Sequence, residues 1–168
     1  EIELIVASAS KLLAGLREGE FDVVVTAATV SEDLYRIDQL YDESYKVVVS
    51  KSHPLSERDA ISLSTLAETD MLDRPNCEMR DALHGACADQ GHELYAAYRS
   101  NRVDWLVELA RQGLGAVILP TTAIPADRGL VSILIDGLEI SRTVSALRYR
   151  HQTTRPETND LIREIARV

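Results

Sequence analysis

The order of apolar and polar positions divides this chain into short strands and amphipathic helices. Residues 101–120, NRVDWLVELARQGLGAVILP, show both periods in one stretch. Val103, Leu106, Val107, Leu109 and Ala110 recur at spacings of three and four, which predicts a helix. Gly113-Leu-Gly115 stops it, and the wholly apolar run 116–119 predicts a strand buried on both faces and ended by Pro120. Upstream, residues 1–7 read as a strand. Residues 8–17 read as a helix with Leu12, Leu13 and Leu16 inward and Gly19 as its stop, and residues 21–26 as a second strand. Strand, helix, strand predicts a βαβ unit with a right-handed crossover. Two further strands follow at 34–40 and 45–50, and an irregular polar stretch runs to Asp59.

A second series begins there. A short helix is predicted at 63–68 and a strand at 70–73. The helix at 78–90 places Met79, Ala82, Leu83, Ala86 and Cys87 on one stripe and is closed by Gly91. Strands follow at 93–98, 116–119, 130–135 and 143–150, with Asp136-Gly137 as a turn. Pro156 opens a final helix with Leu161, Ile162, Ile165 and Val168 inward, since a proline lacks an N–H that has no partner there anyway. Alternating strands and helices give an α/β class with mostly parallel sheets. Two series divided by an irregular stretch predict two lobes, residues 1–50 with 136–168 and residues 51–135, the chain crossing near Lys51 and Asp136.

The 168 residues suffice for a sizeable core, and 45% hydrophobic with 27% charged residues is the composition of a folded globular domain. No apolar run reaches the ~20 residues of a membrane helix, so no membrane partner is expected. Glu1 leads directly into a strand-like run with no signal peptide, which points to a piece of a longer chain. The charge is acidic, 18 Lys plus Arg against 27 Asp plus Glu, and three of the bases are Lys. Nucleic-acid affinity rests on bases that neutralise phosphates. Two cysteines, Cys77 and Cys87, are too few for a disulfide framework and suit a reducing cytoplasm.

Three motifs stand in order along the chain. Residues 12–25, LLAGLREGEFDVVV, hold Leu-x-x-Gly-x-x-Asp; residues 48–55, VVSKSHPL, place a strand before His-Pro-Leu; residues 112–120, QGLGAVILP, form the Gly-Leu-Gly strand ending in proline. Together they resemble the effector-binding domain of LysR-type transcriptional regulators over the whole chain. The resemblance implies a fold of the periplasmic-binding-protein type II kind, two Rossmann-like lobes joined by two crossover strands, with a small effector in the cleft. It implies an upstream winged helix-turn-helix domain, through which alone DNA would be bound. It implies a first lobe that lacks here its first strand and helix. A cytoplasmic homodimer or tetramer is also implied, a helix of one lobe packing on a helix of the mate, here residues 11–17 and 80–90.

In open α/β sheets ligands bind beyond the carboxyl ends of strands, where helix N-termini offer N–H groups to anions. Three such junctions carry polar residues: Ser8 and Ser10, Asn76 and Cys77, Ser100 and Asn101. Arg74, Arg80, Arg99 and Arg102 flank two of them. Thr26 and Ala27 end the second strand and would line the opposite wall, and Pro120 ends its own. By resemblance, Ser8, Ser10, Thr26, Ser100 and Asn101 lie near positions where family members hold effectors, and a small, anionic molecule is expected. For each serine and asparagine the plainer reading is an N-cap contributing ~1 kcal/mol; for the arginines it is solvated surface.

No cofactor, metal or catalytic set is expected. Gly113-Leu-Gly115 lies in the reverse order of a dinucleotide fingerprint, His53 is a turn residue before Pro54, and no nucleophile–base motif is present. His84, His92 and His151 lack partners at metal-ligand spacing. The segment CEMRDALHGAC resembles the peroxide-sensing members of the family, which carry a reactive cysteine and a second one nearby. Cys77 beside Arg74 and Arg80 is in a setting that favours reactivity. Against this, Asn76 stands where those sensors have histidine and the cysteine spacing is one residue longer. Ten residues of helix also separate the sulfurs by ~15 Å, whereas a disulfide needs Cα atoms within ~7 Å. Cys87 falls on the apolar stripe, where a cysteine is commonly a small core residue. A redox sensor using Cys77 and a solute receptor of a transporter, which shares the fold, are the alternatives, and the residues encoded upstream of Glu1 separate the second from a regulator. The charge balance predicts that this chain does not retard duplex DNA in a gel-shift assay at physiological salt; sub-micromolar binding would contradict it.

Overall fold

The computed structural model describes residues 2–126, 128–153 and 155–166. The chain divides into two compact units, Glu1–Asp42 with Arg142–Val168, and Glu43–Ser141.

In the first unit, helix α1 (Ala9–Glu18) begins at Ser8, whose hydroxyl accepts from the Lys11 N–H at 3.4 Å, and ends at Gly19 in the left-handed conformation. Strand β1 (Val24–Thr26) pairs antiparallel with β8 (Ser141–Tyr149), which lies between β1 and the long strand β2 (Tyr35–Ser50). Leu16, Val24, Tyr35 and Leu147 form the core, with Leu12, Leu13 and Phe21 packed against it. Helix α5 (Pro156–Ile165) has its proline in the first turn and buries Ile162; Val168, expected inward, lies outside the described residues. Arg148 ties three elements together, donating to Asn159 at 2.6 Å and to Asp38 at 2.7 Å.

Two expectations fail here. Residues 2–7 form no strand, and Ile2, Leu4 and Val6 are exposed. A strand needs a neighbouring edge to bond, and none of the described strands pairs with this segment, so the βαβ unit is not made. The strands expected at 34–40 and 45–50 are one continuous strand. The polar run Asp42-Glu43-Ser44 looks like a turn, but its carboxylates find partners: Asp42 accepts from the Thr143 hydroxyl at 2.5 Å, and buried Glu43 accepts from the Thr122 N–H at 3.2 Å and from its hydroxyl.

In the second unit, the end of β2 pairs antiparallel with β6 (Ala116–Pro120) and with β7 (Leu130–Ile135). Beyond β6 lie β4 (Met71–Asp73) and then β5 (Ala96–Arg99), both parallel to it in sequence direction. The short strand β3 (Ala60–Ile61) is parallel to β7 and carries too little pattern to be predicted. The sheet is therefore mixed, not mostly parallel, because β2 and β8 run against their neighbours.

Alternation along these strands sorts the core into two faces. Val47, Val49, Met71, Ala116, Ile118 and Ile133 face α2 (Leu63–Ala67) and α3 (Arg80–Asp89), together with Leu66, Leu83 and Cys87. Val48, Leu72, Val117 and Leu119 face α4 (Val103–Arg111), whose Leu106, Val107 and Ala110 are the expected stripe. In α3 the expected Ala82 is exposed while Leu83 and Cys87 are buried. β6 enters through Gly115 at φ +149°, where a Cβ would stand 2.3 Å from the Asp70 carbonyl oxygen. Gly115→Ala should cost about 3 kcal/mol through strain and overlap. Gly137→Ala, at φ +71° with open space around it, should cost about 1–2 kcal/mol. Urea denaturation of both variants checks the order.

Candidate functional site

The parallel strands β4, β5 and β6 end on one edge of the second unit, at Asp73, Arg99 and Pro120. The segments that leave them are the 74–79 turn before α3, Ser100–Arg102 before α4, and a 3-10 turn at Thr121–Ala123. The first two are bonded to each other: the Asn76 N–H donates to the Asn101 side-chain oxygen at 3.3 Å, and the Ser100 N–H to the Asp73 carbonyl at 3.1 Å. Arg74, Asn76, Cys77, Ser100, Asn101 and Pro120 thus fall on one edge of one unit. Ser8, Ser10, Thr26 and Ala27 belong to the first unit. There Ser8 and Ser10 share a hydrogen bond at 3.1 Å on exposed surface, and the Thr26 hydroxyl accepts from the Ala28 N–H at 3.1 Å.

The capping roles differ from the sequence reading at two junctions. Ser8 caps α1. α3 begins at Arg80 after Met79, with no side-chain cap, so Asn76 and Cys77 sit in the preceding turn. α4 begins after Arg102, and the Ser100 hydroxyl accepts from the Arg102 N–H at 3.1 Å one step outside the helix. The α4 start is also not bare: Asp104 stands in its first turn, and the hydrogen bond from Arg102 holds that carboxyl below the usual carboxylate range. Arg102 itself lies 5.3 Å above the Trp105 ring, a cation–π contact.

The arginines divide by burial. Arg99 and Arg102 are largely exposed, as solvated surface would be, while Arg74 and Arg80 are mostly covered. Asp73 serves two of them, with Arg80 Nε at 3.2 Å from both oxygens and Arg99 Nε at 3.5 Å from one. Arg74 pairs with Glu78 at 3.3 Å and Arg102 with Asp104 at 2.5 Å. Four guanidiniums meet three carboxylates in these pairs, and a fourth acid, buried Glu43, is bonded to the Thr122 turn on the same edge.

The two cysteines occupy different settings. Cys77 is half-buried, its Sγ 3.0 Å from Arg74 Nη2 and 4.0 Å from the Tyr45 hydroxyl. A small cavity of about 30 Å³, room for a water or two, lies beside it and is lined by Arg74, Arg80, His84 and apolar side chains. Cys87 is fully buried among core residues, and burial pushes its thiol pKa up. Among the described residues no group of His, Cys, Asp and Glu is arranged to hold a metal ion. No described helix is long and apolar enough to cross a membrane.

The family model described as "LysR substrate binding domain" matches residues 1–168. The chain belongs to this family. A relative from Dickeya chrysanthemi, "Hydrogen peroxide-inducible genes activator", is 28% identical over 155 residues, 89% of this chain and 50% of its own length. The chain spans about half the length of the curated relatives it matches. HinK, a LysR family transcriptional regulator from Pseudomonas aeruginosa, shares the fold with a TM-score of 0.86 at 15% identity, over 99% of this chain and 59% of that one. The regulatory domain of CcmR from Synechocystis PCC6803, solved in complex with 2-PG, matches with a TM-score of 0.83 at 15% identity, over 99% of this chain and 82% of that one. The fold is thus that of the LysR effector-binding domains, of the periplasmic-binding-protein type II kind. Sequence reasoning did not anticipate the parts played by Tyr45, Asp73 and Glu78. Tyr45 lies thirty-three residues from the Glu78 it meets, Asp73 carries no spacing signal, and Glu78, four residues after Arg74, lies in a turn where that spacing is not a helix-face pattern. The burial difference predicts that iodoacetamide modifies Cys77 in the folded protein and reaches Cys87 only after denaturation, read by peptide mass spectrometry; equal labelling of both would contradict it.

Proposed function

We propose that this chain is the effector-sensing part of a LysR-type transcriptional regulator. On this reading, a small anionic molecule is bound at the carboxyl ends of β4, β5 and β6. The observation that carries the reading is Asp73 shared between Arg80 and Arg99. One carboxylate between two guanidiniums leaves charge that a ligand carboxylate or phosphate can neutralise, and paired, planar guanidiniums suit such groups. The Ser100 hydroxyl accepts from Arg102 and keeps its own hydrogen to donate, and the Asn101 amide group supplies further donors. CcmR, of the same fold, was solved with a small molecule bound. Arg74, Asn76, Cys77 and Pro120 complete the lining in this proposal. Ser8, Ser10, Thr26 and Ala27, all in the first unit, are proposed as ligand-contacting residues by the family resemblance alone. Binding would act by shifting populations between states of the domain. The reading places the whole protein in the cytoplasm as a homodimer or tetramer, touching DNA through a domain outside this chain.

Ser100→Ala in the full-length regulator tests it. A thermal-shift screen against small carboxylates and phosphorylated acids should identify compounds that stabilise the wild type. Calorimetry should then show Ser100→Ala binding them more weakly by about 1–3 kcal/mol, the cost of leaving a desolvated group unpaired. Ser132→Ala, exposed on β7, should bind like the wild type. Equal affinity in Ser100→Ala with an intact fold would remove Ser100 from the site.

One observation favours a second reading, peroxide sensing through Cys77: the Arg74 guanidinium at 3.0 Å from its sulfur, in a chain whose curated relatives include hydrogen peroxide-inducible activators. In that chemistry the sulfur attacks one peroxide oxygen, the O–O bond breaks, and a sulfenic acid and water result. Cys87 is buried in the core, so partner formation with Cys77 would require α3 to open. Peroxide-treated protein, analysed under non-reducing conditions by mass spectrometry, is expected to contain no Cys77–Cys87 disulfide. Finding one, with loss of helix signal, would favour the redox reading over the effector reading.

A further inference from the structure

Tyr45 is the place where the candidate site meets the strands on which the chain passes between its two units. It is buried on β2, two residues beyond the boundary between Asp42 and Glu43. Its backbone N–H donates to the Ile140 carbonyl at 3.0 Å, one residue before Ser141, where the second unit ends and the chain crosses back. Its hydroxyl donates to Glu78 Oε2 at 3.2 Å, a bond between residues thirty-three apart in sequence. Arg74 Nη2 donates to the same oxygen at 3.3 Å and to Cys77 Sγ at 3.0 Å. One carboxylate oxygen therefore joins the 74–79 turn to the tyrosine that touches both crossings.

We infer that Tyr45 is a positioning residue that carries a rearrangement of the 74–79 turn into the two crossing strands. The inference rests on the reading that ligands act at this turn. A ligand that draws Arg74 or Glu78 toward itself weakens a hydrogen bond of a largely buried tyrosine, and the loss of such a bond carries a cost. A shift of Tyr45 in answer to that loss moves its backbone bond to Ile140 with it. Arg74 Nε is already buried without a hydrogen-bond partner. Such an orphan calls for an explanation, and a second arrangement of the turn in which it is paired supplies one. A shift between two discrete packings of this kind is how small changes at a site reach distant elements.

The test uses a thiol reagent as the probe, so it needs no effector. Methyl methanethiosulfonate places a methylthio group on Cys77, Cys87 being buried, and Cys77→Ser serves as the blank. Hydrogen exchange of the labelled full-length protein is read by mass spectrometry over residues 43–49, 74–79 and 138–144. In the wild type, labelling should raise exchange several-fold at the turn and in both crossing segments. In Tyr45→Phe the crossing segments should exchange faster before labelling and not respond to it, while the turn still responds. Glu78→Ala, a change at a partly exposed residue, should behave likewise, and Glu78→Gln, which keeps an acceptor oxygen, should retain part of the response. Tyr41→Phe, at an exposed tyrosine on the same strand, should respond like the wild type. A labelled wild type whose turn responds while residues 43–49 do not, or a folded Tyr45→Phe that responds fully, would overturn the inference. Loss of small-molecule binding in Ser100→Ala bears on the effector reading and leaves this result untouched.

Discussion

The register of β6 against β4 is the constraint on which the rest of the second unit depends. The Ala116 N–H donates to the Asp70 carbonyl at 2.9 Å, and Gly115 passes that carbonyl closely enough that any side chain would collide with it. Met71 then pairs with Ala116 and Leu72 with Val117. A slip of one residue would turn Leu72 and Val117 from the α4 face to the α3 face. Because the register is fixed, Asp73 and Pro120 end at the same edge, and β5, paired to β4, brings Arg99 and Ser100 beside them. The polar edge follows from apolar packing behind it.

What that edge can do follows from how its charges are paired. Four arginines pair with three carboxylates, while Glu43 is taken up by the Thr122 turn. Exposed ion pairs such as Arg102–Asp104 contribute little to stability, because water screens them. Arg74 and Arg80 are different, being mostly covered and held by Glu78 and Asp73. A ligand carboxylate that took the place of Glu78 or Asp73 would keep such a guanidinium paired, whereas leaving it bare would be costly. The same turn holds Cys77, so the proposed small-molecule recognition and the proposed thiol chemistry would draw on one set of neighbours.

Much of this was legible in the sequence, for identifiable reasons. The helix and strand over residues 103–120 carried both periods and clear glycine stops, and the structure places them within a residue or two. Ser8, Gly19 and Pro156 signalled helix ends by local chemistry, and each stands where that chemistry puts it. The residues around β2 were misread, because Glu43 is made compatible with a strand by Thr122, far away in sequence. The strand expected at residues 1–7 failed since apolar pattern does not supply a pairing edge. For the site, the clustering of Arg74, Asn76, Ser100 and Asn101 followed from the strand-end rule. The sharing of Asp73 with Arg99 did not, as ion pairing between distant segments leaves no periodic trace, and the Arg74–Glu78 pair, though four residues apart, lies in a turn and not on a helix face.

The central claim is that ligands are read at the carboxyl ends of β4, β5 and β6. Amide chemical-shift mapping tests it most directly, by titrating isotope-labelled full-length regulator with the compound that gives its largest thermal shift. Perturbations should concentrate at residues 73–79, 99–102 and 120–122. Perturbations that leave these three segments unmoved and fall instead around β3 and β7 would contradict it.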